Sequence, residues 1–420
     1  MPEERGVLRE IAWREVFPWL SIIRCARLAL SPRLLALAAL GLFATVVGWR
    51  WIGDLYPDSA AMSPWIQQDQ TWPWESQLAS VPPLTFSGLN PVMSPVLETG
   101  RRLSAPFVRM FTPGITFWPF TYCLLCGLWE LAVWALIAGA IVRIVALALA
   151  RESRASLVEG LKFGAMKWPQ FFLSALLPLL GVIVLSFFVG VVFGLIMRAD
   201  FGVLVMSFFW PLLLVASLVM AILLLGLLFG WPLMWPTIGA EGTDSFDALS
   251  RSYSYTFQRP LHYLFYAIVA GVVGLLAAHV VAYFVGETNQ LAVWSASWGS
   301  GSERMQAIES AAPAPLPPAT VTPLSPPASV NPDEQTASWS LRTGHDVLDF
   351  WTGCVVLLGT AYLYSYFWTA ATAIYFLLRQ SVDGTEPDEV AVERDEETFG
   401  LPPLKPDPSG VPQVVEKGEE

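Results

Sequence analysis

Phe201-Gly-Val-Leu-Val-Met-Ser-Phe-Phe-Trp-Pro-Leu-Leu-Leu-Val-Ala-Ser-Leu-Val-Met-Ala-Ile-Leu-Leu-Leu-Gly-Leu-Leu-Phe-Gly-Trp231 contains no charged side chain. A helix needs roughly 20 apolar residues to cross a hydrocarbon layer of ~30 Å, and this stretch exceeds that. Five further stretches reach or approach the same length: Leu34–Trp51, Tyr122–Leu149, Phe171–Met197, Leu261–Phe284 and Val347–Leu378. Water is absent from the bilayer core, so each backbone must satisfy its own hydrogen bonds, and helices do so within one segment. The expected fold is an all-α membrane protein with six transmembrane helices in three hairpins, joined by cytoplasmic interfacial helices.

Composition agrees with that class. Hydrophobic residues make up 54% of the chain and charged residues only 14%, a combination that excludes an ordinary soluble domain. The net charge of −11 gives no basic surface for nucleic acid. Twelve acidic and four basic residues lie from Arg379 onward, so the acidity belongs mainly to the tail. The four cysteines are too scattered for a disulfide framework. Cys123 and Cys126 form a Cys-x-x-Cys around Leu124 and Leu125; thiolates are disfavoured in such surroundings, so both read as small packing residues.

The chain begins with a cytoplasmic amphipathic segment, residues 1–33. Glu3 and Glu4 precede no small-residue cleavage site, which argues against a cleavable signal. Over Val7–Leu30, Val7, Leu8, Ile11, Trp13 and Phe17 fall at helical spacing among Arg9, Glu10, Arg14 and Glu15, the pattern of a helix lying on a lipid surface. A six-span membrane domain follows over 34–385, with extracytoplasmic segments at 54–121 and 285–346. The first of these shows no sustained helical or strand period. Within the second, the Pro/Ala-rich run 311–332 cannot bury enough apolar surface to order itself, and the acidic tail 386–420 is expected to be disordered for the same reason.

Lysine and arginine set the orientation. With both termini inside, the inner segments carry sixteen of them and the outer segments six, while Arg50 and Arg143 lie near span ends from which they can snorkel to water. That places both termini on the cytoplasmic side of the membrane. Trp49, Trp51, Trp118, Trp168, Trp231, Trp235 and Trp351 mark span ends.

A unit recurs three times: a short stretch of helical spacing, a proline, then an outgoing span. Ser21–Leu30 precedes Pro32, Ser156–Trp168 precedes Pro169, and Asp244–Arg259 precedes Pro260. The residue before proline avoids helix, so each proline marks a bend. Ser156 with Glu159 has capping-box spacing and Asp244 with Asp247 is an acidic variant of it. Small-xxx-small pairs at Gly190/Gly194 and Gly226/Gly230 predict close helix approach, and Pro178, Pro211 and Pro232 predict kinks.

The candidate intramembrane polar pair is Glu130 and His279. Glu130 falls roughly 12 Å inside the outer end of the second span, and His279 about 7–8 Å inside the outer end of the fifth. Ionisable groups at such depth are functional candidates, and a carboxylate–imidazole pair can relay protons or bind a cation. The other reading is structural: a neutral or hydrogen-bonded Glu130, and a His279 hydrated near the interface. Nucleophile, phosphate-loop and metalloprotease motifs are missing, and His262, His279 and His345 have no metal-ligand spacing. No metal and no cofactor is expected.

The most distinctive polar segment is Glu241-Gly-Thr-Asp-Ser-Phe-Asp-Ala-Leu-Ser-Arg-Ser-Tyr-Ser-Tyr-Thr-Phe-Gln-Arg-Pro260, with a shorter echo, Asp383-Gly-Thr-Glu-Pro-Asp-Glu-Val390, after Leu377-Leu378-Arg379-Gln380. Glu241–Pro260 and Tyr375–Val390 resemble segments of a family of uncharacterised bacterial polytopic inner-membrane proteins. A looser similarity extends to the membrane domain that precedes some glycerophosphodiester phosphodiesterases. The resemblance implies a helical-hairpin membrane fold and transfers no activity, since the chain has no phosphodiesterase catalytic domain. Within the loop, Phe246, Leu249, Tyr253 and Phe257 fall on one helical face, with Arg251 and Arg259 toward water, which predicts an interfacial helix. The expected function is a non-enzymatic scaffold or membrane-organising component that docks a cytoplasmic protein at residues 244–259 and the acidic tail. The alternative is a transporter or permease subunit using Glu130 and His279.

Overall fold

The computed structural model describes residues 17–56, 69, 71–72, 95–112, 114–151, 155–309, 339–385, 389–390, 404–406 and 412–414. After a 3-10 turn at Pro18–Leu20, the helices are α1 (Ser21–Ala29), α2 (Pro32–Asp54), α3 (Pro95–Met110), α4 (Phe117–Arg151), α5 (Leu157–Met166), α6 (Trp168–Val189), α7 (Asp200–Phe208), α8 (Trp210–Glu241), α9 (Ser245–Gln258), α10 (Pro260–Ser300), α11 (Ser302–Glu309) and α12 (Trp339–Asp383). A π turn at Gly190–Gly194 continues α6. The spans α2, α4, α6, α8, α10 and α12 are long and apolar enough to cross a membrane, which gives the expected all-α membrane fold.

The connections follow the local signals. Proline opens the first turn of α2, α6 and α10, where a missing N–H costs nothing. Ser156 Oγ accepts from Glu159 N at 3.1 Å while Glu159 Oε2 accepts from Ser156 N at 2.7 Å, a complete capping box at the start of α5. Asp244 Oδ1 accepts from Asp247 N at 2.8 Å and starts α9. Gly242, with φ of 68°, ends α8 in the left-handed region that glycine adopts without a Cβ penalty.

Packing follows a cyclic order. The hairpins are α2 with α4, α6 with α8 and α10 with α12, and the returning helices α4, α8 and α12 also pack on one another in the centre. Each short helix rests on the returning helix of the preceding hairpin: α5 on α4, α9 on α8, and α1 on α12, which closes the ring. Ile22, Cys25 and Ala29 form the buried stripe of α1, and Ser365 Oγ of α12 donates to Ala29 O at 2.9 Å.

The bundle is tight at the end carrying the short helices and splayed at the other. Thr360–Arg379 of α12 and Leu233–Ala240 of α8 are buried. Farther out, Leu212, Leu218 and Leu225 of α8 and Val184 and Phe187 of α6 are exposed, an apolar surface suited to lipid chains. Small residues permit the tight end. A Cβ on Gly164 would lie 2.6 Å from Leu136 O, so α5 reaches the backbone of α4 only because position 164 is glycine.

Several details differ from expectation. The fifth and sixth spans are longer: α12 has 45 residues, about 68 Å, because polar residues end a hydrocarbon segment without ending a helix. The fourth span breaks at Phe209 into α7 and α8, and Pro211 opens a helix in place of kinking one. Trp235 is 3% exposed and stacks on Trp368 at 4.6 Å, and Trp231 stacks on Phe367 at 5.5 Å, so these two tryptophans are core and not interfacial belt. Gly190 and Gly194 face open space, whereas Gly226 and Gly230 make room for the Tyr253 ring of α9 and not for another span. Arg143 does not snorkel: it is buried, lies 4.4 Å above the Phe163 ring and donates to Gly239 O at 3.1 Å in the last turn of α8.

Part of the expected N-terminal helix (residues 7–16), the run 311–332 and most of the tail lie outside the described residues. In the tail, Leu404–Pro406 pairs antiparallel with Pro412–Val414.

Candidate functional site

Two places gather polar groups in apolar surroundings. The first is at the short-helix end, where the two polar stretches singled out in the sequence meet. Glu241 ends α8 and takes three partners: the Tyr375 hydroxyl and Arg379 Nε, both on Oε1, and Arg251 Nη1 on Oε2 at 2.7 Å. Arg379 Nε is 3.2 Å from its oxygen. Arg251 also holds Asp247 one turn earlier, at 3.0 Å. Tyr255 of α9 donates to Asp383 at the end of α12, and Arg379 Nη1 donates to Glu389 O at 2.8 Å. Lys167 Nζ, at the junction of α5 and α6, donates to Gly242 O at 2.6 Å.

The cluster joins α8, α9, α12 and the start of the tail. A carboxylate with so little water is tolerable only when its lone pairs are filled by cations and hydroxyls, as they are at Glu241. Burial and the Asp383 carboxylate together push the Tyr255 hydroxyl above the ordinary tyrosine range. Burial alone would lower Arg251, but its bond to Asp247 and the charge of Glu241 outweigh that and raise it. Both groups therefore keep their protons at any physiological pH.

The α9 residues divide. Tyr253 donates to Leu223 O of α8 at 2.7 Å and Leu249 packs on the core, while Phe246, Phe257 and Arg259 are exposed. Arg251 is partly exposed, its side chain 39% accessible as expected of a residue toward water, while its guanidinium also reaches Glu241.

The second place is the splayed end. The amphipathic helix α3, absent from the sequence reading, runs down into the bundle. Its Arg109 grips Asp69 through both carboxylate oxygens at 2.9 and 2.7 Å, and Tyr122 of α4 donates to the same carboxylate at 3.2 Å. Burial pushes the Asp69 carboxyl up, and the Arg109 guanidinium pulls against it. Cys123 and Cys126 lie beside this anchor, buried with Tyr122 and packed by Trp49, Ile52, Tyr56 and Met110. Deeper along α3, Phe107 meets Gly127, and Gly100 meets Phe367 and Trp231.

Between α3, α4, α6 and α8 lies a cavity of about 280 Å³, reached by Glu130 and by Trp134, Trp231, Trp235 and Trp368. Glu130 is 4% exposed, and its Oε2 has no hydrogen-bond partner among the described residues. His279 is elsewhere: it sits half-buried on α10 with Nδ1 2.8 Å from Leu275 O of its own helix, and it does not line the cavity. The structure therefore gives Glu130 a cavity and not an imidazole.

No family model, curated protein or solved structure matches the chain.

Proposed function

We propose that the protein is a non-enzymatic scaffold of the bacterial cytoplasmic membrane, with the short-helix end and both termini in the cytosol. The surplus of lysine and arginine in the segments at that end supports the orientation. The carrying observation is the fixed root of the acidic tail. Asp383 and Arg379 are tied to Tyr255 and Glu241, and Arg379 holds the backbone at Glu389, so the tail leaves the bundle beside α9 and its exposed Phe246, Phe257 and Arg259. A rigid exit next to an apolar and basic helix face is an arrangement for docking a cytosolic protein through two contacts at once.

The test is site-specific photocrosslinking in native membranes from positions 246 and 257. The reading predicts one discrete protein adduct that is lost when residues 386–420 are removed. Adducts only with lipid, or an adduct indifferent to the tail, contradict it.

A permease working through Glu130 without His279 is the second reading: the cavity lies at Glu130 and supports it, while His279 sits away from that cavity. It requires flux in liposomes that Glu130→Gln abolishes.

A further inference from the structure

The flank of α3 carries an inference that depends on neither reading above. Gly100 of α3 packs on Phe367 of α12 and Trp231 of α8, where an added Cβ would lie 3.3 and 4.0 Å from their rings. Two residues before Trp231, Phe229 O accepts from Tyr263, in the first turn of α10, at 2.7 Å. The deep end of α3 therefore stands level with the point where α10 leaves the polar loop at Arg259 and enters the membrane. That is the headgroup level of the leaflet at the short-helix end.

Charges gather at this level. Glu98 accepts from Arg101 Nε and Nη2, each at 2.7 Å, and from Arg102 Nε at 3.1 Å. Two guanidiniums on one carboxylate leave the trio with a net positive charge, and the arginine side chains remain 54% and 40% exposed. An exposed guanidinium at the edge of hydrocarbon is costly unless oxygen atoms meet it, and a phosphate meets it with two parallel N–H bonds. From Arg101, residues Ser104, Val108 and Phe111 follow at spacings of three and four, one helix face running toward the bilayer centre. Val108 and Phe111 are exposed, as is Leu228 of α8, and all three border the cavity between α3, α4, α6 and α8. Water or a soluble phosphate answers the arginines but gains nothing from this apolar continuation. A phosphate joined to an acyl chain matches both parts.

We propose that this flank seats an anionic phospholipid of the leaflet at the short-helix end. Its phosphate accepts from Arg101 and Arg102, and one acyl chain lies along Val108, Phe111 and Leu228. The net positive charge of the trio favours a headgroup that is itself anionic over a zwitterionic one.

The full chain is reconstituted in phosphatidylcholine vesicles with graded amounts of phosphatidylglycerol carrying a photoreactive acyl chain, and labelled peptides are mapped. The expected result is saturable labelling within 104–111 and 224–231. Unlabelled phosphatidylglycerol competes, whereas diacylglycerol of the same chains and inorganic phosphate do not. Arg101→Gln with Arg102→Gln raises the half-saturating amount about tenfold, the worth of a charge-assisted hydrogen bond. Removing two exposed charges elsewhere, Arg27→Gln with Lys162→Gln, leaves it unchanged, which separates a seat on α3 from general attraction to anionic lipid. The competition needs no variant, so it decides the matter even where the double variant fails to fold. Non-saturable labelling, equal competition by diacylglycerol, competition by inorganic phosphate, or an equal loss in the charge-matched variant overturns the proposal. So does a photocrosslinker at position 108 that traps residues 73–94 in place of lipid.

Discussion

Arg379 and Glu241 end two different membrane helices and are joined there: Nε lies 3.2 Å from Oε1, with side chains only 8% and 11% exposed. Removing Arg379 leaves the buried Glu241 carboxylate with Arg251 as its remaining cation, whereas removing both Arg379 and Glu241 leaves Arg251 held by Asp247. Arg379→Gln removes one of two cations on Glu241 and is expected to lower stability by about 1.5–3 kcal/mol. The double variant Arg379→Gln with Glu241→Gln should lose less than the sum of the two singles. Thermal unfolding of the detergent-solubilised protein reads both effects, and strict additivity would show that the pair is not coupled.

The glycines of the chain separate into two kinds. Gly164→Ala forces a Cβ against the Leu136 carbonyl and should cost about 1–3 kcal/mol. Gly190→Ala meets open space and should fall within about 0.5 kcal/mol of the parent. The fraction of monodisperse protein left after heating distinguishes the two. Equal losses would contradict the close approach of α5 to α4.

Helix α3 is fastened at one end by the Asp69–Arg109 pair. Asp69→Asn removes a charge-assisted bond worth about 1.5–3 kcal/mol. Hydrogen exchange across residues 97–110 should then speed up while residues 360–379 stay protected. Acceleration in both segments would mean that α3 is part of one cooperative core.

The capping box of α5 gives a smaller, local effect. Ser156→Ala is expected to cost about 1 kcal/mol. It should accelerate exchange in the first turn of α5, because Glu159 N loses its acceptor. Unchanged exchange there would remove the box from the account of how α5 begins.

Much of the fold was legible because lipid imposes so strong a rule. Leu212–Phe229 has no charged side chain, and Pro32, Pro169 and Pro260 each open a span as their spacing predicts. What was missed depends on three dimensions. Thr99, Leu103 and Pro106 do mark one buried face of α3, but a proline within the helix and a polar flank hid the period. Trp231 and Trp235 stand near a span end, where a belt and a core tryptophan look alike until the facing Phe367 and Trp368 are known. Glu130 was legible as an expensive residue. Its cavity was not, since the lining comes from helices far apart in the chain. The stretches Glu241–Pro260 and Tyr375–Val390 each stood out as polar, yet only packing shows that Glu241 meets Arg379 and Tyr255 meets Asp383.

The arrangement of three hairpins, with α1, α5 and α9 on one side of the membrane, is tested most directly by single cysteines in a variant lacking Cys25, Cys123, Cys126 and Cys354. Cysteines are placed at Ser250 in α9 and at Ser302 at the start of α11, and intact cells are treated with a membrane-impermeant maleimide. The account predicts labelling at 302 and none at 250 until the membrane is opened. Labelling at 250 in intact cells, or at both positions, would contradict it.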